Sequence, residues 1–290
     1  MELEIWHSTR YEFSDAVFLE PHVLRFQPRA DGAQSPLEFS LDVDPTPAGM
    51  SAALDSAGNT VTHVWFDGLH RSLTIVARST VEMLRENPFD FLPDNCRSHL
   101  PVFYAAESDA LRPYLHRNPH GLGEPDQIAI FASRMRDASR GELAPLLTSL
   151  NNTIFDRFET VRRADPGVWS PERTWREKRG ASRDLAALFI DVCRALGVAA
   201  RFVSGYEESE SLGVGEGGEL HAWVEVYIPG AGWRGYDPSR GLAVAQSHVA
   251  VAAAATAAGT APVTGTYRGS GVTSEFETEI RVERRVAAMA

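Results

Sequence analysis

The fold is decided by the stretch "REKRGASRDLAALFIDVCRALG", which runs from Arg176 to Gly197. After Gly180, apolar residues return every three or four positions, and this spacing is typical of one face of an α-helix. The apolar face consists of Leu185, Leu188, Phe189, Val192 and Leu196. Because glycine often follows the last residue of a helix, Gly197 is predicted to end it. The stretch therefore predicts a helix that is buried along one side and begins with a polar turn.

The polar start of this helix contains Ser182 and Asp184. Serine is a favoured N-cap residue, and the helix dipole stabilises an acidic side chain in the first turn. The unpaired N–H groups at the same place also stabilise a developing negative charge, so a nucleophile is well placed there. The residues alone therefore leave two roles for Ser182, the cap of the helix and a nucleophile. For Asp184 we expect a structural role, holding Arg183 or a loop amide.

The pattern of the chain changes on either side of this helix. The first hundred residues form short alternating runs such as "NTVTHVWFDG", which predict an antiparallel β-sandwich. Segments with helical spacing follow, and after the helix come the predicted strands "VAARFVSGYE", "LHAWVEVYI" and "WRGYDPS". A helix followed by antiparallel strands is an α+β arrangement. We therefore predict the α+β class, with a sandwich in front of the core.

Changes in composition and turn signals divide the chain into three predicted units. Residues 1–92 are predicted to be a β-rich domain, 102–245 the α+β core and 246–290 a C-terminal extension. Within the extension, "PVTGTYRGSG" and "SEFETEIRVERR" alternate like strands and predict a final β-hairpin. The segment between the first two units, "NPFDFLPDNCRSHLP", has the proline and asparagine residues of a linker.

Charge and composition exclude several classes of partner. The chain has 290 residues and a net charge of −11, which disfavours binding to nucleic acid or to an anionic membrane. Its start has no basic segment followed by an apolar run, and its longest weakly apolar stretch, "VAVAAAATAA", is too short for a bilayer. We therefore expect a cytoplasmic protein with no membrane contact. No feature of the sequence indicates its oligomeric state.

The two cysteines give no metal or disulfide pattern. Cys96 and Cys193 form no CxxC pair and are too few for a disulfide framework, so both are predicted to be reduced. Cys193 lies eleven residues after Ser182, about 16 Å along the helix axis, and is predicted to be a buried small hydrophobe. The acidic loop Glu208–Glu219 lacks the alternating ligands of a calcium loop and is predicted to be solvated.

Two further polar residues lie where they could act together with Ser182. His221 begins a predicted strand, and Asp237 ends the next one. A histidine on a strand beside the helix could serve as a base, and an acid on the adjacent strand could hold its tautomer. Their spacing by itself is weak evidence, because a histidine at a strand start is commonly solvated and an Asp-Pro pair commonly begins a turn.

The sequence around these three positions resembles that of a known family. "GASRDLAALFIDVCRALGVAARFVSGY", which begins at Gly180, and "HAWVEVYIPGAGWRGYDPSRG", which begins at His221, resemble the transglutaminase-like superfamily of papain-type thiol enzymes. The N-terminal strands resemble the β-rich domain that precedes this core in bacterial members. The resemblance implies that His221 is the general base and Asp237 its orienting acid. It places the nucleophile at position 182, where the family has cysteine in Gly-x-Cys-x-Asp and this chain has Ser182.

The serine changes what the resemblance implies about activity. A thiol with a pKa near about 8.5 is readily ionised beside an imidazolium, whereas a serine hydroxyl needs a precisely placed base and an oxyanion hole. We therefore expect Ser182 to leave little acyl-transfer activity. Three explanations stay open: a replacement made to inactivate an enzyme, a natural loss that leaves a binding protein, and a working serine enzyme.

The function implied by the resemblance is cysteine-type acyl transfer on the amide bonds of a peptide or protein, by hydrolysis or by transfer to an amine. The alternative is a pseudoenzyme that binds a peptide or partner protein in the retained groove. Trp223 and Trp233 flank the site as candidate substrate-binding residues, although core packing is the simpler interpretation for Trp223. No metal and no organic cofactor is expected.

Overall fold

A computed structural model describes residues 1–94, 98–104, 107–117, 126–163, 165, 167–208 and 220–285. The strands are β1 (Glu2–Leu19), β2 (His22–Leu24), β3 (Gln34–Asp44), β4 (Gly49–Leu54), β5 (Thr60–Trp65), β6 (His70–Met83), β7 (Glu159–Thr160), β8 (Arg179–Gly180), β9 (Ala200–Glu207), β10 (Leu220–Ile228), β11 (Gly232–Asp237), β12 (Leu242–Ala243), β13 (His248–Ala254), β14 (Val263–Thr264), β15 (Tyr267–Arg268) and β16 (Ser274–Arg284). The helices are α1 (Ser108–Leu115), α2 (Gln127–Ala138), α3 (Leu143–Arg157), α4 (Pro171–Glu177), α5 (Ser182–Ala195) and a short 3₁₀ turn (Ala257–Thr260). The predicted α+β class is confirmed.

The N-terminal part is a sandwich of two antiparallel sheets. One sheet has the order β15-β1-β6-β3 with β16 also on β1, and the other has the order β14-β2-β5-β4. Alternation along β1 and β6 sends every second side chain inward, as the sequence pattern predicted. The inner faces meet in one apolar cluster made of Phe13, Val17, Leu19, Leu24, Phe26, Val64, Phe66, Leu73, Ile75 and Ala77.

The core places α5 against a second antiparallel sheet, of order β12-β11-β10-β9-β13. The predicted apolar face of α5 is buried, and only Leu196, at the C-cap, is partly exposed. Phe189 stacks on Tyr236 of β11 with ring centroids 5.9 Å apart. Gly197 follows the helix with φ 70°, the left-handed conformation that a C′ glycine adopts without steric cost. The packing of α5 therefore fixes the position of its N-terminus relative to the sheet.

The predicted C-terminal hairpin is wrong. β14 pairs with β2, whereas β15 and β16 both pair with β1, so the last strands extend the two N-terminal sheets. β13 lies beyond the predicted core limit of 245 and forms the last strand of the core sheet, next to β9. The physical reason is that an open edge of β1, which is 18 residues long, is covered by a long strand from the other end of the chain. The division of the chain into units stays a prediction.

Side-chain amides from the sandwich cover the outer edge of β13. Gln34 donates through Nε2 to the Ala250 carbonyl (2.8 Å) and accepts the Ala250 N–H (2.7 Å). Asn59 makes the same two contacts with Ala253, at 2.9 Å and 2.8 Å. An amide side chain has both N–H donors and a carbonyl acceptor, so it can pair with the N–H and C=O of one strand residue as a neighbouring strand would. These bonds join the sandwich to the core sheet.

His7 lies at the same junction and is 3% exposed. Its Nδ1 is hydrogen-bonded to the Tyr206 hydroxyl at 2.9 Å, and its Nε2 lies 3.1 Å from Oγ1 of both Thr9 and Thr278. Burial disfavours the imidazolium and lowers the pKa of His7 from 6.5 to about 4. Hydroxyl groups can donate or accept, so they satisfy the neutral ring.

Acidification should therefore destabilise this junction. The pKa of His7 is about 4 in the folded chain and 6.5 otherwise, so the unfolded chain binds more protons between these values and stability falls as the pH falls. Between pH 7 and pH 5 the loss from His7 should be about 2 kcal/mol. Urea unfolding of the chain with His7 and of its His7→Gln variant, at both pH values, measures this loss. The other histidines are common to both proteins, so only His7 can make their pH-dependent losses differ. Equal losses would therefore contradict the assignment of this effect to His7.

Candidate active site

Ser182 is the first residue of α5 and is half-buried. The N-cap is Ala181, so the prediction that Ser182 caps the helix is wrong by one position. Alanine has no side-chain acceptor, and the N–H of Ala181 instead donates to Oδ2 of Asp184 at 2.8 Å. The hydroxyl of Ser182 is therefore not needed as a cap, and it stands at the positive end of the helix dipole.

Asp184 holds this end of the helix in place and is fully buried. Its carboxylate accepts from the Arg163 guanidinium at 2.9 and 3.0 Å and from the Trp169 N–H at 2.8 Å, in addition to Ala181. A Cβ at Gly180 would lie 2.7 Å from the Asp184 Cβ, so only glycine fits there. The expectation that Asp184 holds a loop amide is confirmed, but its guanidinium partner is Arg163. Arg183 donates to loop carbonyl oxygens instead.

Asp184→Asn should uncouple the helix start from its loop. The change removes the buried charge partner of Arg163, whose side chain is 7% exposed, and loss of a buried partner costs about 3–5 kcal/mol in unfolding free energy. Asp165→Asn is the matched control, because the Asp165 carboxylate lies 3.7 Å from the same guanidinium but is 79% exposed. The control should cost less than about 1 kcal/mol. Similar losses in both variants, measured by denaturant unfolding, would contradict a special role for Asp184.

The structure brings together His221 and Asp237, two of the three predicted catalytic residues. His221 lies at the start of β10 and Asp237 at the end of β11, with His221 Nε2 2.6 Å from Asp237 Oδ2. The other oxygen, Oδ1, accepts from the backbone N–H (2.9 Å) and the hydroxyl (2.7 Å) of Ser239. Since an ionised carboxylate only accepts, Nε2 carries the proton. Nδ1 is then the ring nitrogen that is left to act as a base.

The two residues shift each other's pKa. Burial acting alone lowers the pKa of His221, but the hydrogen bond and charge of Asp237, together with the charge of Glu207, outweigh it and raise that pKa above 6.5. Burial raises the pKa of Asp237, but hydrogen bonds from His221 and His248 outweigh it and hold that pKa far below its usual range. Asp237 is therefore ionised, and it stabilises a positive charge on His221.

Ser182 is not hydrogen-bonded to His221 within the parts of the chain that the structure describes. The two sides of the site are nevertheless joined. The short ribbon of β7 and β8 leads into α5, and the Thr160 hydroxyl on β7 lies 3.4 Å from the Ser239 carbonyl oxygen, two residues after Asp237. The ribbon thus connects the Ser182 side of the site to the Asp237 side.

Two residues at the site were missed by the sequence analysis. His248, at the start of β13, places Nε2 3.1 Å from Asp237 Oδ2, and Glu207, at the end of β9, places Oε2 3.8 Å from His221 Nδ1. His248 stands at the head of an apolar run, as His221 does, and this parallel is the signal that could have found it. It was missed because the core was predicted to end at residue 245.

The predicted tryptophans occupy different places. Trp223 is 1% exposed, and its ring stacks near His221 (6.2 Å between centroids) and meets His248 edge-on at 5.2 Å. Trp233 lies four residues before Asp237, about 13 Å along the strand, and it carries the Arg201 guanidinium 4.1 Å from its ring centroid. Core packing of Trp223 is therefore confirmed. A substrate contact by either tryptophan stays a prediction.

Cys193 offers no reactive thiol at this site. It is fully buried in the core cluster around α5, and burial raises the pKa of its thiol well above the usual value. This confirms its prediction as a packed side chain. Cys96 and residues 209–219 of the acidic loop lie outside the described residues.

Two family models match the chain. Residues 3–82 match the bacterial transglutaminase-like N-terminal region, and residues 132–238 match the core of the transglutaminase-like superfamily. The core of the chain, residues 132–238, belongs to the transglutaminase-like superfamily. The matched core includes Ser182, His221 and Asp237 but ends before His248. In the parts that the structure describes, no helix is long and apolar enough to cross a membrane.

The chain is similar to mycobacterial proteins over most of its length or over a third of it. It is 26% identical over 275 residues to the uncharacterized protein Rv2569c of Mycobacterium tuberculosis, covering 85% of this chain and 81% of that protein. It is 32% identical over 98 residues to the uncharacterized protein ML0607 of Mycobacterium leprae, which covers 33% of this chain and 34% of that protein. The fold is shared with a "putative cysteine protease" from Cytophaga hutchinsonii, with a TM-score of 0.71 and 18% identity over 99% of this chain and 92% of that one.

Proposed function

We propose that the site is a cysteine-type acyl-transfer site for the amide bonds of a peptide or protein, and that Ser182 leaves it with little activity. The observation that carries the proposal is the buried His221–Asp237 pair, with 2.6 Å between Nε2 and Oδ2, in a chain whose matched core contains the nucleophile position at the start of α5. An oriented base beside a helix N-terminus is the arrangement that nucleophilic acyl transfer needs.

Position 182, His221 and Asp237 would have separate roles in acyl transfer. The side chain at position 182 attacks the amide carbon while its proton moves to Nδ1 of His221, and Asp237 stabilises the imidazolium through Nε2. That proton then passes to the departing amine as the C–N bond breaks, which leaves an acyl-enzyme. Water or a second amine, deprotonated by the same Nδ1, releases the acyl group. Whether water or an amine accepts it stays open, as does the predicted cytoplasmic location.

Ser182 weakens the first of these steps. A hydroxyl must be deprotonated as it attacks, so it needs a hydrogen bond to the base, whereas a thiol can be ionised in advance by an imidazolium and a helix dipole. No such bond from Ser182 to His221 is present among the residues that the structure describes. This supports low activity with serine and recovery of reactivity with cysteine.

A second candidate function is peptide binding without chemistry. The observation that favours it is the position of Glu207, whose Oε2 lies 3.8 Å from Nδ1 of His221, the nitrogen that the reaction needs. A carboxylate beside a protonated Nδ1 would hold the proton on that nitrogen, and His221 would then be less able to act as a base.

Ser182→Cys should create a thiol that ionises well below the ordinary value of about 8.5, because His221 and the helix N-terminus both stabilise the thiolate. The alkylation rate of this variant against pH, with a metal chelator present, measures the pKa of the thiol. The chain with Ser182 gives the background alkylation of Cys96 and Cys193. His221→Ala in the same variant should return the pKa of the thiol toward 8.5.

Ser170→Cys is the matched control for the helix effect. Ser170 is the N-cap of α4, is exposed, and accepts from the Arg173 N–H at 3.3 Å, so its replacement places a thiol at a helix start. Its thiol should ionise closer to the ordinary pKa than the thiol at position 182. If the two thiols ionise alike, His221 does not act on position 182 and the peptide-binding function is favoured.

A further inference from the structure

Four side chains of the kind that bind metal ions converge on the core sheet. Glu207, His221, Asp237 and His248 each offer one ligand atom, and these atoms all lie within 4.8 Å of one another. Each comes from a different strand, and the four strands are neighbours in the order β11-β10-β9-β13. Glu207 and His248 stand directly opposite each other in the register of β9 and β13. The group is thus placed by the sheet itself.

These side chains are withdrawn from solvent. The side chains of Asp237 and His248 are 0% exposed, and those of His221 and Glu207 are 10% and 12% exposed. Ligands held on paired strands lose little freedom when they bind an ion, and a dry site strengthens the attraction between an ion and a carboxylate.

The buried members of the cluster are also oriented by neighbours that are not ligands. Oδ1 of Asp237 accepts twice from Ser239, which leaves Oδ2 directed at both imidazole rings. Ser247 Oγ lies 2.9 Å from Nδ1 of His248, so that ring presents Nε2 to the cluster. Hydrogen bonds to the outer atom of a ligand are the usual second layer of a metal site.

The charges of the cluster favour a cation. Asp237 and Glu207 bring two carboxylates, and Arg240, which donates to Glu207 Oε2 at 2.8 and 3.1 Å, neutralises only one of them. Neutral imidazole is the form that binds a metal ion. When the two Nε2 atoms bind an ion, the proton of His248 can move to its Nδ1, where Ser247 Oγ accepts it, and the proton of His221 can move to its Nδ1, 3.8 Å from Glu207 Oε2. With both imidazole rings neutral, one negative charge remains for an ion to balance.

We propose that Glu207, His221, Asp237 and His248 bind one divalent transition-metal ion, for which Zn²⁺ is the probe. Two imidazole nitrogens and two carboxylate oxygens form a donor set that suits Zn²⁺ and related ions. Donors at about 2.0–2.1 Å from tetrahedral zinc are about 3.3 Å apart. His221 Nε2 and Asp237 Oδ2, now 2.6 Å apart, would have to separate by a fraction of an ångström. The proposal goes beyond the acyl-transfer function and replaces the sequence-based expectation of no metal.

The metal site and the acyl-transfer site share His221 and Asp237. An ion bound to these side chains occupies the base and its orienting acid, so the two activities exclude each other. In Ser182→Cys, Zn²⁺ should therefore slow alkylation of the new thiol, and a chelator should reverse the effect. Binding itself is measured on the chain with Ser182, without any thiol at position 182, so each proposal can fail without the other.

The test is titration of the metal-depleted full chain with Zn²⁺ against a chromophoric chelator. The chain with Ser182 should bind one ion with a Kd below about 1 µM, and removal of one ligand should weaken binding at least about tenfold. Glu207→Gln and His248→Asn remove one ligand each, and Glu207 is the safer change because its side chain is partly exposed. His63→Ala is the matched control, because His63 is an exposed histidine on β5, and this variant should bind as the parent chain does.

Co²⁺ supplies a second measurement that needs no variant, because its visible absorption reports the coordination geometry. A band of the strength typical of four-coordinate Co²⁺, displaced by Zn²⁺, supports the site. The proposal is overturned if the chain with Ser182 shows no saturable binding below about 100 µM. It is also overturned if folded Glu207→Gln and His248→Asn bind as tightly as the parent chain with Ser182.

Discussion

The site depends on the buried carboxylate of Asp237. Its two oxygens accept from His221, His248 and twice from Ser239, and its side chain has no exposed surface. A carboxylate without water is stable as an anion only when such donors surround it. The same four bonds fix two imidazole rings on separate strands and the turn after β11. Loss of this one anion would leave both imidazole rings and Ser239 without their shared partner.

The sequence predicted the parts of the structure that local pattern determines. The spacing of apolar residues predicts the buried face of α5, and the sequence around His221 and Asp237 identifies both as site residues. What it missed is non-local. β16 pairs with β1 across most of the chain, and His248 reaches Asp237 only because β13 joins β9. Alternation shows that a segment is a strand, but it carries no information about which edge that strand will cover.

The surroundings of His221 bring together two kinds of chemistry. Asp237 on Nε2 prepares the ring to act as a base for a nucleophile at position 182, whereas Glu207 and His248 complete a set of metal ligands around the same anion. With cysteine at position 182, a thiolate could form an ion pair with an imidazolium at His221. Ser182 is neutral and forms no such ion pair. The serine thus alters the electrostatics of the site as well as its nucleophile.

The central claim is that His221 and His248 both donate through Nε2 to Asp237. Proton NMR of the metal-depleted chain, with ¹⁵N-labelled histidine, tests it most directly. We predict two imidazole N–H protons that are shifted downfield and protected from exchange, each on Nε2, with the one from His248 missing in His248→Asn. Observation of a proton only on Nδ1 of His221, or rapid exchange of both protons with water, would contradict the account.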